Sequence, residues 1–102
     1  MPDSKWLEKF RRLLCDLYEF WGGSCAELPM DVPERIAFLN TMYQEQGPPP
    51  LTTQQQIDAL LALLEVMYLE LDSPSNCLPT ASTAEMRSLI LALQSHFLPP
   101  AR

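Results

Sequence analysis

Thr53–Leu71 reads TQQQIDALLALLEVMYLEL. Ile57, Leu60, Leu61, Leu64, Met67, Tyr68 and Leu71 recur at the three- and four-residue steps of one helical face. Leu63, Val66, Leu69, Ala59 and Ala62 carry apolar character around much of the remaining circumference. A helix that is apolar on more than one face is buried on more than one face. This segment therefore lies centrally among neighbouring helices, or it turns its second face to another chain. Its start is marked by Thr52-x-x-Gln55 or Thr53-x-x-Gln56. In such a pair the hydroxyl and the amide side chain each satisfy an otherwise orphaned backbone N–H.

The same punctuation recurs on both sides. Upstream, Asp31-x-x-Glu34 opens a helix with Pro33 in its first turn, where a missing N–H is no loss. Ile36, Leu39, Met42 and Tyr43 form its stripe, with Phe38 at the edge, and Gly47 with Pro48-Pro49-Pro50 closes it. The first helix begins at Asp3-Ser4 and stops at Gly22-Gly23, which supply a left-handed C-terminal residue. Trp6, Leu7, Phe10, Leu13, Leu14, Leu17, Tyr18, Phe20 and Trp21 fill an arc of roughly 160° on it. Lys5, Glu8, Lys9, Arg12, Asp16 and Glu19 lie opposite, and Cys15 projects with them as an exposed thiol. Downstream, Ser82-x-x-Glu85 opens a helix whose stripe is Met86, Leu89, Ile90, Leu93 and Phe97. Leu91 and Leu98 fall outside that stripe, and Pro99-Pro100 end the helix.

The pattern predicts an all-α chain of four helices, at about 4–21, 32–46, 53–71 and 83–97. Loops of six to ten residues favour antiparallel neighbours, hence an up-down-up-down bundle. At 102 residues this is one domain, spanning 1–102.

Composition removes several classes of partner. The formal charge is −6 and the isoelectric point about 4.5. Phosphate recognition is driven by cationic side chains that release counterions, so direct nucleic-acid binding is disfavoured, as is an anionic membrane surface. No apolar run approaches the ~20 residues that span a bilayer. Met1-Pro2 reads as a native start without a signal peptide, which places the protein in the cytoplasm.

Catalytic or metal-binding constellations are missing from the sequence. His96 is the single histidine and has no helical Glu-x-x-His or second His beside it. Glu65 and Glu70 lie about 140° apart on their helix and do not converge. Phosphate-cradling glycine loops are absent, and Gly22-Gly23 ends a helix where anion binding needs one to begin. The cysteines, at 15, 25 and 77, fit no zinc or C-x-x-C spacing and read as free thiols. The alternative is a Cys25–Cys77 bridge, because an up-down bundle brings the first and third loops to one end. No cofactor, metal or small-molecule substrate is indicated, and the chain reads as a non-enzyme.

Two features point to protein contact. The first is apolar surplus on helices 1 and 3. Trp6, Phe10, Leu13 and Phe20, with Leu63, Val66 and Leu69, are the candidate anchors for a partner helix or a second copy of the chain. The expected function is a protein–protein interaction module: an adaptor, a subunit or a small chaperone. The second is charge. From Leu13 through Met86 the only basic residue is Arg35, against eleven acidic ones, while Lys5, Lys9, Arg11 and Arg12 cluster on helix 1. The alternative function is therefore an inhibitor of a nucleic-acid-binding protein, similar in size and charge to small phage-encoded defence inhibitors. Glu27, Asp31, Glu34, Asp58, Glu65 and Asp72 would stand where phosphates lie.

Overall fold

A computed structural model describes residues 4–98. Four helices make up the bundle: α1 (Ser4–Glu19), α2 (Val32–Gln46), α3 (Gln54–Leu71) and α4 (Thr80–Phe97), with a single 3-10 turn at Cys25–Glu27. No strand occurs among the described residues. Asp3, Pro99 and Pro100, invoked above as helix boundaries, lie outside them.

Local chemistry accounts for most of the helix ends. Thr53 caps α3 and forms the reciprocal box with Gln56. Asp31 caps α2 by accepting from the Glu34 N–H. α1 tightens into a turn after Glu19, and Gly22 takes φ 83° while its N–H donates to the Glu19 carbonyl at 2.9 Å. Gly47 ends α2 in the same way, with φ 79°. The start of α4 differs from expectation. The helix begins at Thr80, three residues early, behind Pro79 and without a side-chain cap. Its first turn is closed by the Thr83 N–H on the Pro79 carbonyl. Asn76 fixes the approach by accepting from the Leu78 N–H and donating to the Leu71 carbonyl. Glu85 is consequently free of capping duty and accepts from Asn40 on α2.

The core gathers Phe10, Leu14 and Leu17 of α1, Ile36 and Leu39 of α2, Leu60, Leu64 and Met67 of α3, and Met86, Leu89, Ile90 and Leu93 of α4. α1 and α4 each pack against α2 and α3, so the diagonal pairs are α1/α4 and α2/α3. Trp6 Nε1 near the start of α1 donates to the Glu70 carbonyl near the end of α3, which makes that pair antiparallel. α1 and α2 run the same way. Arg35, early in α2, reaches the Arg11 carbonyl, Phe38 meets Tyr18, and Trp21 Nε1 donates to the carbonyl of Gly47 beyond the end of α2. α4 also starts at the end of the bundle where Leu7 and Val32 lie.

The alternation expected from loop length therefore holds at the second and third connections and not at the first. Residues 22–31 form a strap that returns along α1 to deliver α2 at the other end. Ten residues can span up to about 33 Å, more than a turn between adjacent helix ends needs, so loop length alone does not distinguish the two paths.

Gly23 sits where the strap leaves α1, and a Cβ there would overlap the Tyr18 ring. Tyr18 is buried and cannot yield without leaving the core. Gly23→Ala is expected to destabilise the fold by about 1–3 kcal/mol. Urea denaturation checks this, and an unchanged midpoint would show that the ring has room to move.

Candidate interaction surface

The outward face of α3 carries an apolar patch. Leu69 is 63% exposed, and Val66 is also exposed, while Leu63 is half-buried. Glu70 meets Trp6 and Lys9 of α1 and so marks the α1 side of α3. At ~100° per residue Leu63 and Val66 fall within about 40° of Glu70, so they border α1. On α1, Trp6 and Lys9 mark the side facing α3, and Leu13 and Phe20 lie between those two directions. Both are half-buried against the core. On the other flank, Arg87 of α4 meets Tyr68 and Asp72. Leu91 and Leu98 project within about 40° of Arg87 and are exposed, Leu91 to 52%. The result is one apolar face centred on α3 and bordered by α1 and α4.

Two expected anchors do not belong to it. Trp6 is buried, and Phe10 is 0% exposed. Trp6 stacks on Phe10, with ring centroids 5.0 Å apart, and spends its indole N–H on the Glu70 carbonyl. The antiparallel approach of α3 covers both rings, so they are core and not docking surface. Leu13, Phe20, Leu63, Val66 and Leu69 remain at the surface. Leu91 and Leu98 join them. Their only sequence signal was that they stood off the α4 stripe.

The six acidic residues are all exposed, but they are dispersed and four are already engaged. Glu27 accepts from the Ser24 N–H in a capping box on the strap. That N–H, together with the Tyr18 hydroxyl, holds its carboxyl below the usual range. Tyr18 is pushed up in turn, by burial first and by Glu27 second. Asp31 caps α2, Asp58 accepts from Gln54, and Asp72 pairs with Arg87. Asp58 and Glu65 lie on the outward face of α3, inside the apolar surface.

The strap overturns the cysteine reading. Cys15 is buried and forms a disulfide with Cys25, while Cys77 is the exposed free thiol. Cys15 does project from the polar face of α1, but the returning strap covers that position. Arg35 is the one basic residue of the acidic window and is only 3% exposed. It donates from Nε to the Pro29 carbonyl, and from Nη1 to the Arg11 carbonyl at 3.0 Å and to Cys15 Sγ at 2.9 Å. Among the described residues Arg35 forms no ion pair. Burial, and then the charge of Arg11, lower its pKa. Neither the disulfide nor this buried cation was foreseen from spacing.

Among the described residues no three His, Cys, Asp or Glu side chains cluster to hold a metal, and no helix is long and apolar enough to cross a membrane. Comparison with protein-family models, with curated proteins and with solved structures gives no match.

Proposed function

We propose that the protein is a non-catalytic interaction module, an adaptor, subunit or small chaperone of the cytoplasm, that docks a protein partner or a second copy of itself on the outward face of α3. The observation that carries this reading is the exposure of Val66 and Leu69 in the middle of a face that continues onto α1 and α4. Fully burying a Val or Leu side chain is worth roughly 1.5–3 kcal/mol, and docking recovers the share of this that Val66 and Leu69 leave in water. Phosphate mimicry by the acidic surface is the weaker reading, because Glu27, Asp31, Asp58 and Asp72 already serve the fold.

The two readings differ in salt dependence. Apolar docking is expected to change affinity by less than about threefold between ~50 and ~500 mM salt, whereas contacts between exposed charges are screened within about 8–10 Å at physiological ionic strength. Light scattering of the purified chain over a concentration series tests the self-association form directly. A monodisperse monomer that binds no apolar dye would count against an open docking face.

A further inference from the structure

We propose that Cys15 and Cys25 form a reversible thiol–disulfide exchange site in which Arg35 holds the Cys15 thiolate, the substrate being a low-molecular-weight thiol of the glutathione class.

The two sulfurs are placed unequally. Cys25 is in the exposed 3-10 turn of the strap, whereas Cys15 is 7% exposed beneath it. An incoming thiolate therefore meets Cys25 Sγ first. It forms a mixed disulfide there, the Cys15–Cys25 bond breaks, and its electron pair leaves on Cys15 Sγ. A second thiolate then attacks the sulfur of the small thiol, releasing the Cys25 thiolate and one molecule of glutathione disulfide. The protein gains two electrons, and two glutathione thiols supply them; protons from solvent balance whichever thiolates protonate. The reverse sequence, with glutathione disulfide as oxidant, remakes the bond.

Arg35 favours the reduced side. A disulfide sulfur is a weak acceptor, so the 2.9 Å contact from Nη1 adds little while the bond is intact. On a thiolate the same N–H becomes a charge-assisted hydrogen bond, and the buried guanidinium acquires a counter-charge that no ion pair among the described residues gives it. The groove that holds the two sulfurs is lined by Arg11, Arg12, Asp16 and Glu19 of α1, with Lys5, Glu8 and Lys9 farther along the same helix, and by Arg35 of α2. Of these, Arg35 alone donates to Cys15 among the described residues; the same Nη1 also reaches Cys25 Sγ, but at 3.8 Å against 2.9 Å, so Cys15 is the sulfur it favours. A leaving thiol of lower pKa leaves faster, and stabilising the dithiol makes the disulfide more readily reduced. The strap stays tethered without the bond, because Arg35 Nε holds the Pro29 carbonyl and Arg11 Nε the Met30 carbonyl.

The test uses the full chain with Cys77→Ser. Equilibration in glutathione buffers at pH 7, with alkylation and mass measurement, gives the reduced fraction. Arg35→Gln is expected to shift the equilibrium at least tenfold toward the disulfide, which is about 30 mV for a two-electron couple. Arg35→Lys is expected to shift it less. In Cys25→Ser with Arg35 intact, the pH profile of iodoacetamide reaction at Cys15 should break clearly below ~8.5, the ordinary thiol value. A break at or above that value, or an equilibrium unmoved by Arg35→Gln, would overturn the proposal. If Arg35→Gln fails to fold, the Cys15 profile decides alone.

Discussion

Phe10→Ala is expected to cost about 3–5 kcal/mol of folding stability. The ring is fully enclosed, stacked on Trp6 and surrounded by the core that all four helices supply. Truncation removes its transfer free energy and leaves a void, and the neighbouring leucines refill that void only in part. A domain of this size has about 5–15 kcal/mol in total, so the loss is a large share of it. The melting temperature should fall by about 12 °C or more, since each kcal/mol shifts a domain of this size by roughly 4–8 °C. Urea denaturation and calorimetry measure both quantities. A loss under about 1 kcal/mol would mean that Phe10 is not enclosed, and would return it to the set of partner anchors.

The paired substitution Val66→Gln and Leu69→Gln is expected to do the opposite. Both side chains are exposed, so stability should move by no more than about 0.5 kcal/mol per site. Glutamine is a good helix former and carries no charge, so the change removes apolar surface and little else. Self-association, or affinity for a partner, should weaken by about thirtyfold or more, the loss typical of central anchors. Light scattering and titration of the binding partner read this, with circular dichroism confirming intact helices. Undiminished association would remove the outward face of α3 from the docking proposal. Together the two variants separate residues that hold the protein together from residues that hold something else, a distinction helical periodicity blurred by grouping Phe10 with Leu69.

That blurring has a definite cause. Trp6, Phe10, Leu13 and Phe20 form a continuous arc on α1, and position within the arc does not say how far α3 will cover it. α3 closes over Trp6 and Phe10 at the Glu70 end and leaves Leu13 and Phe20 half-buried at the seam. Leu91 and Leu98 were visible as apolar residues off the stripe, but their membership of a shared face depends on α4 lying beside α3.

What the chain of residues determined by itself is local: four helices, the caps at Asp31 and Thr53, the stops at Gly22 and Gly47, and which side of each helix is apolar. These rest on hydrogen bonds and side-chain spacings within a few residues, so they are written in consecutive letters. The tertiary structure alone decided that the first connection doubles back along α1. That one path buries Cys15 on a face that reads as polar, bridges it to Cys25 and seals Arg35 against them. It also leaves Cys77 alone. Helical periodicity gives an angle about an axis and nothing about the path taken between two axes. These features arise where segments distant along the chain meet, so they became legible only once the helices were packed.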